Sequence, residues 1–122
     1  MLWDDAKMCI VLDRLDLFRR SKEVMAKYQE YIMAVNRNGT SVRDIIMKKM
    51  MGRPIAWMKN EFPYDVKGTA HYLICSDTPL SDERIREIAG RHAVGREFVT
   101  FVNPDHLRSV KDLWHAHVLI KY

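Results

Sequence analysis

Val24, Tyr28, Tyr31, Ile32 and Val35 recur at i, i+4, i+7, i+8 and i+11, the stripe of one helix face. Ser21 stands before this stripe as an N-cap, and Glu23 falls in the first turn, where it complements the helix dipole. The run Asn36-Arg37-Asn38-Gly39 ends it, because Asn and Gly tolerate a left-handed exit. Upstream, Ala6, Ile10, Leu12, Leu15 and Leu17 predict a helix from residue 4 to about 17 that ends or bends near residues 13–16. Ser41-Val42-Arg43-Asp44 has the shape of a capping box, with Asp in the place of Glu. Val42, Ile45, Ile46 and Met50 carry this third helix to Gly52 and Pro54.

Beyond residue 53 the period changes. Residues 60–68 read as a loop, with Pro63 and Gly68 as breakers. Residues 69–75, 98–102 and 115–120 have the β-branched and aromatic content of strands. Between the first two, Ser81 caps a helix with apolar positions at Ile85, Ile88 and Ala89, closed by Gly95. Asn103-Pro104-Asp105 breaks the second strand and starts a short helical turn. The pattern predicts an α+β fold: a helical N-terminal half, about residues 1–53, packed on one face of a small, largely antiparallel sheet of three or more strands drawn from about residues 54–122. A length of 122 residues with 48% hydrophobic content fits one domain.

Charge changes this picture little. The net charge of +4 comes from 20 basic and 16 acidic residues. It is compatible with an anionic partner without requiring one. Arg43, Lys48, Lys49, Arg53 and Lys59 cluster with only Asp44 between them, which reads as a solvated helix face first and a weakly supported nucleic-acid surface second. Cys9 and Cys75 each sit in an apolar run, without CxxC or Cys/His zinc spacing, and are expected to be free, buried thiols. The acidic start, Asp4-Asp5, is unlike a signal peptide, and no window reaches the length of a membrane span. The expectation is an intracellular, cytoplasmic protein with no membrane partner; oligomeric state is not legible.

Phosphate-loop, dinucleotide, zinc-protease and serine-hydrolase motifs are all missing from the chain. The candidate chemistry lies on the strands of the second half. His115 and His117 are two apart, so both rings point to one face. With Ala116, Val118 and Ile120 facing the helices, the two imidazoles are expected to leave the core together. His71 shares a face with Leu73 and Cys75, and a suitable register brings three imidazoles together. Such a cluster reads in three ways: histidines with satisfied hydrogen bonds, a metal-free binding or catalytic site, or a three-His metal site. No carboxylate stands at diagnostic spacing, with Asp105 and Asp112 only as outlying partners, so no metal set is assigned, and the sequence leaves any cofactor unknown. Asn103 ends a strand, Arg108 follows as a residue that grips phosphate or carboxylate, and Tyr64 belongs to a rigid Phe62-Pro63-Tyr64 corner. Trp57 and Trp114 could stack a base or anchor a core edge.

Taken in order, Phe62-Pro63-Tyr64, Gly68, His71-Tyr72-Leu73, Pro79-Leu80, Phe101-Val102-Asn103-Pro104, Leu107-Arg108-Ser109-Val110 and His115-Ala116-His117-Val118-Leu119 resemble the domain of unknown function of the fungal N-acetylglucosamine-induced protein family. Leu17-Phe18-Arg19-Arg20-Ser21, Tyr28 and Gly39 fit it loosely. Asp65 stands where that family has Gly, and Ile74-Cys75 where it has Trp. The resemblance implies the choice of residues and supplies no reaction. The functional expectation is a pocket of His71, His115 and His117 with Tyr64, Asn103 and Arg108, binding an anionic small molecule such as a nucleotide or sugar phosphate. In a hydrolytic version, His115 or His117 is the acid/base and Arg108 the anion clamp. The alternative is a non-enzymatic module that binds RNA or protein through the basic region and exposed aromatics.

Overall fold

Three of the four helices begin on the serines that the sequence marks. The computed structural model describes residues 1–108, 110 and 113–122. Ser21 Oγ accepts from the Val24 N–H at 3.2 Å to open α2 (Lys22–Arg37), and Ser41 Oγ accepts from the Asp44 N–H at 3.1 Å to open α3 (Val42–Met50). Ser81 Oγ does the same for the Arg84 N–H of α4 (Asp82–Ala93) at 3.2 Å. The first helix, α1 (Trp3–Val11), carries Asp4 and Asp5 in its first turn instead of a side-chain cap. Asp13, at φ 55°, breaks it, and a 3-10 turn at Leu15–Leu17 follows. This is the bend that the imperfect apolar spacing predicts.

The sheet contains β1 (Ile55–Lys59), β2 (Thr69–Ser76), β3 (Phe98–Phe101) and β4 (Trp114–Lys121), in the order β1-β2-β4-β3 with every neighbouring pair antiparallel. The sequence pattern does not predict strand β1. Its five residues include Ala, Met and Lys, which have little strand preference of their own, and it forms as an edge laid against β2. Trp57 anchors it by stacking on Tyr72 and His92, with ring centroids 4.9 and 4.0 Å apart.

Both faces of the sheet are covered. Ile74, Ala116, Val118 and Ile120 pack under Ile85, Ile88, Ala89 and Ala93 of α4. The opposite face receives the N-terminal half in two apolar patches. Trp3, Ala6, Cys9 and Phe18 meet Phe101 and Leu119 at one end, while Met50 and Ile46 meet Ala56, Cys75 and Leu113 at the other. The N-terminal helices therefore do pack on one face, but it is the histidine face and not the Ala116-Val118-Ile120 face. The expectation that His115 and His117 leave the core is corrected by this placement. The central strand β4 is buried from His115 to Ile120 because a layer lies on each side of it. Cys9 and Cys75 are free and buried, as expected. No helix among the described residues is long and apolar enough to cross a membrane.

The helix α4 ends on Val94 at φ 50°, followed by Gly95 at φ 82°. A β-branched residue in the left-handed region is strained, and Val94 is 83% exposed, so no packing compensates. Val94→Gly should stabilise the protein by about 0.5–1 kcal/mol after the greater chain entropy of glycine is counted. The check is a higher urea midpoint at unchanged slope; a lower midpoint would refute it.

Candidate functional site: a buried histidine cluster beside a cationic-rimmed cavity

The register of β2 on β4 pairs Leu73 with His117 and Cys75 with His115, and sets His71 opposite Leu119. His71 and His117 are thus diagonal neighbours on one face. Their rings meet through His71 Nε2 and His117 Nδ1 at 2.8 Å. His115 lies edge-on to His117 with centroids 5.2 Å apart. The three imidazoles expected to converge are brought together, in the strip between the two apolar patches. They are nearly closed to solvent, at 2%, 8% and 3% exposure for His71, His115 and His117.

Hydrogen bonding assigns a direction to this cluster. The Tyr64 backbone N–H donates to His71 Nδ1 at 3.1 Å, so that nitrogen carries no proton. The neutral His71 ring then donates from Nε2 to His117 Nδ1. His117 in turn has its proton on Nε2, which lies 3.2 Å from Asn103 Nδ2. Two donors would face each other there, so the Asn103 amide works in the opposite orientation, with its oxygen toward the ring. That oxygen also accepts from the Tyr64 hydroxyl, 3.0 Å away. Asn60 sits over His71 with Nδ2 3.5 Å from both ring nitrogens, and its Oδ1 accepts from the Phe62 N–H at 2.9 Å. Both nitrogens of His71 and of His117 are occupied.

His115 differs. Its Nδ1 donates to the Leu113 carbonyl at 2.9 Å, which leaves the Nε2 lone pair without a partner among the described residues. Every fully buried side-chain nitrogen or oxygen among those residues is hydrogen-bonded, so His115 Nε2 is the atom that reaches open space. That space is a cavity of about 80 Å³ lined by His115, His117, Cys75, Leu73 and Met58 on the sheet. Ile46, Val42, Tyr28, Tyr31 and Phe62 form its walls, and Arg20, Lys49, Lys59 and Glu61 also line it.

Burial pushes all three imidazoles toward the neutral form. His71 is lowered to about 3, first by desolvation and then by the charges of Arg20 and His115. His117 is held well below its ordinary value by burial, then by His71, His115 and Arg20. His115 is lowered by burial, opposed by its bond to Leu113. Burial also raises the Cys75 thiol to about 11, so it is not a ready thiolate. No group of three or more His, Cys, Asp or Glu among the described residues is arranged to hold a metal ion.

The expected companions fall in different places. Tyr64 and Asn103 join the network behind the cavity and brace His71 and His117. Arg108 is near the cluster but turned to its own loop. Its Nε donates to the Asn103 carbonyl at 2.9 Å and its Nη1 meets Asp105 at 3.1 Å, so it holds Asn103 in place rather than lining the cavity. Asp112 lies outside the described residues. The arginine that does line the cavity is Arg20, which the sequence offers only within the loosely fitting Leu17-Phe18-Arg19-Arg20-Ser21 stretch and not as a site residue. Its Nε donates to the Phe62 carbonyl at 2.8 Å, and its guanidinium lies 4.4 Å from the Tyr28 ring centroid and 5.2 Å from that of Tyr64. Asn60 reads in the sequence as an ordinary loop residue. In the basic run, Lys49 pairs with Glu61 at 3.3 Å and Arg43 with Asp44 at 3.8 Å.

No family model matches the chain. No curated protein matches it either. A solved structure does: the crystal structure of a protein named HTC1 superposes with a TM-score of 0.76 over 99% of this chain and 85% of that one, at 22% identity. This likeness is one of fold, a four-stranded antiparallel sheet with its helices, and it carries no ligand or reaction to the cluster.

Two consequences are measurable. His117→Ala strands the His71 N–H in the core and removes one of the two partners of the Asn103 amide, and should cost about 1–3 kcal/mol of stability. His106→Ala, at an exposed position, should stay within about 0.5 kcal/mol. His92 is a poorer comparator because it stacks on Trp57. Equal denaturation curves for the two variants would show that the network contributes nothing. The second consequence is an acid-side loss. His71, His115 and His117 have folded pKa values below the ordinary 6.5, so between 6.5 and about 3 the unfolded chain binds more protons. Stability is therefore full above about pH 6.5 and falls as pH drops, by up to about 1.4 kcal/mol per pH unit for each histidine. Urea midpoints at pH 5 and 7.5 test this, and an unchanged midpoint would contradict it.

Proposed function

We propose that the protein binds a small anionic molecule in the cavity between α2, α3 and the histidine face. The observation that carries this reading is the set of cations, Arg20, Lys49 and Lys59, lining one cavity with His115, whose Nε2 has no partner among the described residues. An accessible imidazole nitrogen without a partner among the described residues, in a residue that lines a cavity, favours a site for a ligand over a part of the packing. The cavity, of about 80 Å³, fits a phosphate or carboxylate head with a small body more readily than a whole nucleotide. His115 Nε2 is also placed to take a proton from a bound molecule, the one step of hydrolysis that this cluster is equipped for. The convergence of Phe62, Tyr64, His71, Asn103, His115 and His117 supports placing the chain beside the fungal N-acetylglucosamine-induced family. The buried free thiols support a reducing, cytoplasmic setting. The reading as an RNA- or protein-binding module gains less support, since Trp57 is already stacked and two of the basic residues are paired with acids.

Isothermal titration with inorganic phosphate, a hexose phosphate, a nucleoside monophosphate and benzoate tests the proposal. At least one should bind, and Lys49→Glu should weaken it about three- to tenfold, the effect of reversing one partly screened charge. Because Lys49 is exposed, stability should change by less than about 0.5 kcal/mol. Absence of binding by all four, or affinity untouched by Lys49→Glu, would sink the reading.

A further inference from the structure

Resting on the anion-binding reading, we infer that the ligand is a hydroxylated aryl carboxylate, its hydroxyl donating to His115 Nε2, its ring lying among the aromatic walls and its carboxylate held at the cationic rim. The cavity is graded from inside to outside. Its buried floor is formed by His115 and Cys75, its middle by apolar and aromatic side chains, and its exposed edge by Lys49, Lys59 and Glu61. Each level restricts the ligand differently.

At the floor, His115 donates its Nδ1 proton to the Leu113 carbonyl, so Nε2 can only accept. The deepest atom of the ligand is therefore a donor. A carboxylate or phosphate oxygen placed there would face a lone pair, which excludes entry with the anion first. In the middle, Met58, Leu73, Ile46 and Val42 offer no hydrogen bond. Against these four a sugar would find no partner for its hydroxyls, and only Asn60, Tyr28 and Tyr31 among the neighbouring lining residues could offer one. Tyr28 and Tyr31 each meet Phe62 with centroids 5.1 Å apart, which makes a wall suited to a flat ring. Toward the edge, Arg20, Lys49 and Lys59 outnumber Glu61, which pairs with Lys49 at 3.3 Å, and leave net positive charge for the outer end. With the carboxylate at the rim, only the ring and the hydroxyl need to enter the cavity of about 80 Å³.

The test is a titration of the wild-type protein with 4-hydroxybenzoate, 4-methoxybenzoate, benzoate and 4-hydroxybenzyl alcohol. 4-Hydroxybenzoate should bind tightest. 4-Methoxybenzoate keeps ring and charge but loses the donor, and should bind at least about tenfold more weakly; benzoate should fall in the same direction. His115→Leu should bring 4-hydroxybenzoate to the affinity of benzoate. The ligand series stands by itself should that variant not fold. Equal binding of the three carboxylates would overturn this inference while leaving the anion reading in place. Equal binding of the neutral alcohol and 4-hydroxybenzoate, or binding by none of the four, would also overturn this inference, and the phosphate titrations above then decide the anion reading by themselves.

Discussion

The hydrogen bond between His71 and His117 sits at the centre of the sheet face that the N-terminal helices cover, and much of the chain is arranged to sustain it. Two imidazoles in a closed interior are tolerable only when neutral and fully bonded. The bond demands one register of β2 on β4, since a slip of one residue would send a ring to the α4 side. It also demands ends. The Tyr64 N–H closes one end, and the Asn103 amide, held through its carbonyl by Arg108, closes the other. Two loops far apart in sequence are thereby tied to the same pair of rings.

This polar strip divides the face. Trp3, Ala6, Cys9 and Phe18 collect on the Phe101-Leu119 side, and Met50 with Ile46 on the Ala56-Cys75 side. The helices cannot close over the gap as one apolar layer, and the cavity lies in that gap beside His115. The aromatic residues soften the division. Phe101 stacks on His117 at 4.9 Å and on Phe18 at 4.7 Å, carrying ring-to-ring contact from the network into the apolar patch. The opposite face has no such partition. There α4 places Ile85, Ile88, Ala89 and Ala93 on the apolar surface of Ile74, Ala116, Val118 and Ile120, behind the histidines.

Much of this arrangement is legible in the amino-acid sequence. The serine caps, the 3.6-residue stripe of α2, the break near residue 13 and three strands all follow from local chemistry and period, which act over a few residues. The alternation of His115 and His117 places both rings on one side for the same reason. Asn103 and Tyr64 are legible as neighbours of the histidines, because short connections return to adjacent strands.

What the sequence could not determine was which layer would lie on each face. His115, His117 and Leu119 line one side of β4, and Ala116, Val118 and Ile120 the other; both sides carry enough apolar surface to be buried. Only the tertiary packing assigned α4 to one and the N-terminal helices to the other, and with that the histidines passed from solvent to interior. The same step recruited Arg20 and Asn60, whose positions carry no periodic signal, and turned Arg108 toward Asn103. Local patterns determine elements and the facing of side chains along them, because those depend on the backbone of a few residues. The pairing of layers depends on summed burial across the whole chain, and it decided that one histidine nitrogen of the cluster, Nε2 of His115, would face the cavity without a partner among the described residues.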